Sequence, residues 1–63
     1  MKTMYDVQQL LKRFGTIIYT GNASADLELM QEEIRELYHQ NLIGLDEYKT
    51  AILIIRAANN KLQ

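Results

Sequence analysis

The chain has 63 residues, of which 48% are hydrophobic, and its formal net charge at pH 7 is -1. This length permits one domain, predicted over residues 1–63, and the lack of cysteine excludes disulfides and thiolate metal sites. The near-neutral charge gives no general attraction to nucleic acid or membranes, and no apolar run reaches the roughly 18 residues of a membrane span.

A first helix is predicted to begin after Thr3. Thr3 is the expected N-cap, with Asp6 three residues later as its partner in a variant of the capping box. Apolar side chains then recur at spacings of three and four, which predicts a core-facing stripe: Met4, Val7, Leu10, Leu11 and Phe14. Gly15 follows at the position where a left-handed residue commonly ends a helix.

A short apolar segment, residues 16–20, lies between Gly15 and Gly21. Its β-branched and aromatic side chains favour extended backbone, yet no second strand is predicted to pair with it. One interpretation is an ordered connector in which Ile17, Ile18 and Tyr19 cover helix faces. The other interpretation is a segment exposed for binding by a partner. The sequence is compatible with both interpretations.

A second helix is predicted after Gly21, with Asn22 or Ser24 as its cap. Carboxylates cluster in its N-terminal half, where the helix dipole favours them. Leu29 is predicted to project among the acidic residues instead of toward the core. The predicted core face consists of Leu27, Met30, Ile34, Leu37, Tyr38 and Asn41.

A third helix is predicted from Gly44, as N-cap, to about Lys61, with Glu47 at its third position. Its predicted core stripe consists of Leu45, Tyr48, Ile52 and Ile55, with Asn59 as a further candidate. Leu53 and Ile54 face away from that stripe, so this helix is apolar on all sides and suggests a self-association surface. The three helices predict an all-α class, a compact three-helix bundle with residues 16–20 packed across it.

Few residues could carry catalysis or bind a metal. Glu36 and His39 have the spacing of helical metal ligands, but such a site needs a second pair, and the chain has one histidine. Ser24 and His39 would lie about 22 Å apart on one helix. The glycines form no phosphate-binding motif. No enzyme activity, metal, cofactor or small-molecule substrate is predicted.

Basic and aromatic side chains indicate a binding function instead. Lysine and arginine contact phosphates while tyrosine rings stack on bases, a combination suited to single-stranded RNA or DNA. The acidic second helix is expected to face away from such a ligand. The candidate residues are Lys12, Arg13, Lys49 and Arg56 for phosphates and Tyr5 and Tyr19 for stacking. The alternative is a protein-interaction or self-association module, a homo-oligomer included, that uses Leu53, Ile54 and residues 16–20.

Four strings together resemble the YqgQ family of short cytoplasmic bacterial proteins. They are MYDVQQLL at residues 4–11, GTIIYTG at 15–21, ADLELM at 25–30 and IRELY at 34–38. The resemblance covers nearly the whole chain and implies a compact three-helix domain, with single-stranded nucleic-acid binding as the function suggested for it. It brings no catalytic residues. A cytoplasmic location is also expected because no apolar stretch follows Lys2, so no secretory signal is predicted.

Overall fold

The computed structural model describes residues 1–62 and consists of three helices. They are α1 (Met4–Arg13), α2 (Ala23–His39) and α3 (Leu45–Lys61). The helices α2 and α3 form the most extensive pair, and α1 packs against both. The Cα radius of gyration is 10.8 Å, and the described residues contain no strand. The predicted all-α three-helix bundle is therefore confirmed.

The core is one apolar cluster to which all three helices contribute, and none of its members is polar. It consists of Val7, Leu10, Leu11, Leu27, Met30, Ile34, Leu37, Ile43, Ala51, Ile52 and Ile55. Most of these residues lie on the predicted stripes. Ala51 and Ile43 were not predicted, because an alanine and a turn residue carry little periodic signal. No helix in residues 1–62 is both long and apolar enough to cross a membrane.

Two apolar residues of the predicted core stripes are exposed. Phe14 follows the last turn of α1, and Leu45 is the first residue of α3. Each of them lies at one end of an apolar stripe. One side of such a residue therefore faces solvent and not a further helical turn. The helical period was identified correctly, but its outermost members do not contribute to the buried cluster.

Asn41 lies just beyond the end of α2 and does not line its core face, so that prediction is wrong. It has a left-handed backbone with φ 61°. Its N–H donates to the Tyr38 carbonyl at 3.0 Å, and the Leu42 N–H donates to the Leu37 carbonyl at 2.9 Å. These two bonds form a Schellman motif. Asparagine tolerates left-handed backbone better than most residues do, which explains its place here.

The N-terminus of α1 has the predicted capping box. The Asp6 N–H donates to Thr3 Oγ1 at 3.4 Å, and the Thr3 N–H donates to Asp6 Oδ2 at 3.1 Å. The Lys2 N–H donates to the same carboxylate oxygen at 2.8 Å. These backbone donors, Lys2 first and then Thr3, hold the pKa of Asp6 below its usual value. A charged Asp6 therefore supports the first turn.

Gly15 ends α1 through a second Schellman motif. Its φ is 82°, its N–H donates to the Lys12 carbonyl at 2.9 Å, and the Thr16 N–H donates to the Leu11 carbonyl at 3.0 Å. The left-handed residue reverses the chain direction. Residues 16–20 consequently run back across the bundle to α2.

The same substitution at two glycines is expected to have different effects. Gly15→Ser should cost about 1–2 kcal/mol, because a Cβ disfavours left-handed backbone. Gly44, at φ -81° and ψ 170°, is the N-cap of α3 without a capping side chain. Gly44→Ser should leave stability unchanged or raise it by a few tenths of a kcal/mol, because serine can cap the helix. Urea unfolding of both variants tests this pair, and equal losses would contradict it.

Candidate functional site

Residues 16–20, here called the connector, alternate between inward and outward side chains. Thr16 and Ile18 are half-buried, and Ile18 packs against the core cluster. Ile17 is 79% exposed and Tyr19 is 85% exposed. Side chains of an extended chain point to opposite sides in turn, so only alternate residues can reach the bundle. The expectation that Ile17 and Tyr19 cover helix faces is therefore wrong.

Both ends of the connector are tied to α2 by side-chain hydrogen bonds. The Thr16 hydroxyl donates to Glu33 Oε1 at 3.4 Å. At the other end, the Thr20 N–H and the Thr20 hydroxyl donate to Asp26 Oδ1 at 2.7 and 2.6 Å. Ile18 packs against the core between these two ends. The connector backbone is therefore anchored, and the side chains of Ile17 and Tyr19 project from it into solvent.

The outer side of α1 lies next to the connector. Tyr5, which is 66% exposed, and the exposed Lys12 lie one heptad apart, on the same side of the helix and about 10.5 Å from each other along its axis. Lys12 and Ile17 line one open cavity of about 280 Å³. Tyr19 is exposed like Ile17, two residues further along the connector. We give the name α1–connector face to these four exposed side chains, Tyr5, Lys12, Ile17 and Tyr19.

Arg13 lies on a neighbouring side of α1. One position after Lys12, it points about 100° further round the helix. It lines an open cavity together with Leu10 of α1 and Glu47 of α3. Arg13 therefore borders the α1–connector face and does not lie at its centre.

Lys49 and Arg56 are exposed on a different flank of the molecule. Two residues of α3, Glu47 and Ala58, line cavities shared with α1. Lys49 is nine positions from Ala58, and Arg56 is nine positions from Glu47. Nine positions on a helix correspond to a rotation of about 180°, so both cations point away from α1. The six predicted nucleic-acid residues therefore do not form one surface.

An acidic groove lies along the other side of the connector. It is lined by Thr16 and Ile18 of the connector and by Leu29, Glu32, Glu33 and Glu36 of α2. Leu29 is exposed among the glutamates, as predicted. The connector thus has Lys12 on its α1 side and several carboxylates on its α2 side. An anionic ligand is favoured on the first side and repelled on the second.

The predicted self-association residues, Leu53 and Ile54, differ in their exposure. Leu53 is 66% exposed, whereas Ile54 is half-buried against the core. Both line a shallow groove with Met4, Ala58 and Leu62. The prediction that Leu53 faces away from the core is confirmed, while Ile54 belongs partly to the packing between α1 and α3.

Tyr38 and Tyr48 form a stacked pair across α2 and α3. Their ring centroids are 4.5 Å apart, and their planes differ by 10°. Both rings pack against the core cluster, so they serve the fold and are not free platforms for a ligand. The sequence placed each on a core stripe, but their pairing follows from the register of two helices.

The described part of the chain gathers no group of three or more histidine, aspartate and glutamate side chains suited to a metal ion. Glu36 instead accepts a hydrogen bond from Gln40 Nε2 at 2.7 Å. The His39 ring lies beside Tyr38, with centroids 6.1 Å apart. The two residues at metal-ligand spacing therefore have ordinary surface contacts.

Comparison with known proteins identifies the chain's family. A family model described as YqgQ-like matches residues 1–61. The uncharacterized protein YqgQ of Bacillus subtilis (strain 168) is 43% identical over 56 residues, which cover 89% of this chain and 79% of that protein. The resemblance noted in the four sequence strings is thus confirmed. The chain belongs to the YqgQ-like family.

Proposed function

We propose that this protein binds single-stranded nucleic acid through its α1–connector face. The observation that carries the proposal is the exposure of Tyr19, which is 85% accessible on a connector anchored at both ends. A tyrosine ring that contributes little to the core is available to stack on a base, and base stacking tolerates any sequence. Tyr5 supplies a second exposed ring on α1.

Charge distribution gives the bound strand a preferred side. Lys12, with Arg13 beside it, attracts the phosphates of a strand that lies along α1. Glu32 and Glu36, in the groove on the other side of the connector, repel them. The net charge of -1 gives the molecule as a whole no attraction to a polyanion. Binding is therefore expected to be modest and to weaken as the salt concentration rises.

A matched pair of lysine substitutions tests the proposal. Lys12 and Lys49 are both exposed helical lysines, but only Lys12 lies on the α1–connector face. Lys12→Ala should weaken binding and reduce the slope of log affinity against log salt by about 0.7, the value for one phosphate contact on a single strand. Lys49→Ala should leave both nearly unchanged. Fluorescence anisotropy with a labelled oligonucleotide at several salt concentrations measures both quantities.

Three results would count against the proposal. Equal effects of the two substitutions would mean that only overall charge matters. A larger effect of Lys49→Ala, accompanied by loss in Arg56→Ala, would move the binding surface to the outer flank of α3. No binding of the unaltered protein at low salt and high micromolar concentration would reject nucleic-acid binding altogether.

A protein-interaction function is the second candidate, and the exposure of Leu53 favours it. An apolar partner would cover Leu53 and the groove beside Ile54, and its binding would be insensitive to salt. Leu53→Lys should abolish such binding without lowering stability by more than about 0.5 kcal/mol, because the residue is exposed. A partner retained by Leu53→Lys would contradict this alternative.

A further inference from the structure

We propose that two copies of this chain associate by pairing their connectors as antiparallel strands about a two-fold axis at Ile18. This pairing adds a second copy as partner and does not depend on nucleic-acid binding. The connector leaves backbone groups unpaired, the order of its side chains is nearly symmetric, and opposite charges lie at its two ends.

The connector has one used and one unused hydrogen-bonding edge. In extended backbone, the N–H and C=O of alternate residues point to the same edge. The Thr16 N–H donates to the Leu11 carbonyl and the Thr20 N–H to Asp26, so the N–H groups at both ends of the even-numbered edge are already occupied. Within residues 1–62, no hydrogen bond involves the backbone of Ile17, Ile18 or Tyr19, so the odd-numbered edge is unused and only Ile18 is free on the even-numbered edge.

The unused edge fits a second copy in one antiparallel register. With Ile18 opposite Ile18 of the second copy, Ile17 lies opposite Tyr19 in both halves of the pair. Opposed residues of an antiparallel pair exchange both N–H···O=C bonds at every second position. In this register those positions are Ile17 and Tyr19, so all four of their N–H groups find a carbonyl.

The side-chain order TIIYT at residues 16–20 is nearly the same in both directions. Antiparallel pairing therefore places Thr16 opposite Thr20 and Ile17 opposite Tyr19. Threonine pairs and pairs of an aromatic with a β-branched residue are favourable across strands. Because Ile17 and Tyr19 both point outward, two rings and two isoleucines would form one apolar surface across the two-fold axis.

The charges at the two ends of the connector are complementary under this symmetry. Lys12 lines the cavity at the Thr16 end, and Asp26 lies at the Thr20 end. Antiparallel pairing places the Thr16 end of each copy beside the Thr20 end of the other. Each end of the pair thus carries one Lys12 and one Asp26, whereas a parallel arrangement would place like charges at the same end.

A proline substitution at the unused edge tests the pairing. Tyr19→Pro removes a donor that the monomer does not use, and it should weaken dimerisation roughly ten-fold or more by removing two of the four bonds. Tyr19→Val keeps the N–H, replaces the ring with a β-branched side chain that also favours extended backbone, and should weaken dimerisation less. Ala23→Pro, at the first position of α2 where proline is tolerated, is the control and should dimerise normally. Sedimentation equilibrium over a concentration series measures the association.

Amide hydrogen exchange supplies a second, residue-specific result. Protection of Thr16 and Thr20 should not change with protein concentration, because their donors are occupied within one chain. Protection of Ile17 and Tyr19 should rise with concentration. A protein that stays monomeric at millimolar concentration would overturn the proposal, as would a dimer that survives Tyr19→Pro or is instead lost in Leu53→Asp. If the protein binds nucleic acid as a monomer, the proposed function stands whether or not the connectors pair.

Discussion

Replacing Ile52 with alanine is expected to lower the free energy of unfolding by about 2–5 kcal/mol. Ile52 is buried in the core cluster on the middle of α3, and truncation removes apolar contacts and leaves a cavity. Leu10→Ala in α1 should cost a similar amount for the same reason. A domain of this size has a total stability of roughly 3–9 kcal/mol, so either variant loses a large share of it.

The residue after Ile52 is the matched control. Leu53 lies on the same helix and is 66% exposed, so Leu53→Ala should change stability by no more than about 0.5 kcal/mol. Chemical unfolding followed by circular dichroism compares the variants directly. Equal losses at the two positions would mean that α3 is rotated about its axis relative to this structure.

Replacing Tyr19 with alanine is expected to reduce single-strand affinity by about 1–3 kcal/mol, the usual contribution of one stacked base. The salt dependence should hardly change, because the ring carries no charge. Stability should also remain nearly the same, since Tyr19 is 85% exposed. Anisotropy titrations at two salt concentrations, together with a thermal melt, separate these three quantities.

Tyr19→Phe is the control for this prediction. Phenylalanine keeps the aromatic face and should retain most of the affinity, whereas a contact made by the hydroxyl would be lost. Unchanged binding in Tyr19→Ala would remove Tyr19 from the site. A large fall in melting temperature would instead assign the ring to packing and contradict its exposure in the structure.

Features determined by neighbouring residues were predictable from the sequence. The caps at Thr3 and Gly44 and the left-handed Gly15 lie where they were predicted, and of the two candidates for the cap of α2, Asn22 and Ser24, Asn22 is the one used. The central members of each apolar stripe are buried, because a helical period fixes which side chains share a face. Asn41 was misassigned because its spacing continues the stripe of α2 after the helix has ended.

The candidate surface depends on tertiary packing, which the sequence does not encode in any short pattern. Lys12 and Lys49 look equivalent along the chain, and only the way α1 crosses α3 separates them. Residues 16–20 were identified as an extended segment, but which side chains face inward depends on the anchors at Glu33 and Asp26. The stacking of Tyr38 on Tyr48 likewise requires the register of two helices.

Backbone amide chemical shifts recorded during titration with a single-stranded oligonucleotide test the α1–connector face most directly. An oligonucleotide of roughly 12 nucleotides is within the range of known single-strand site sizes. The account predicts the largest shifts in residues 16–20 and around Tyr5 and Lys12, and small shifts along the acidic side of α2. Shifts confined to α3 around Lys49, Leu53 and Arg56, or no shifts at low salt, would contradict it.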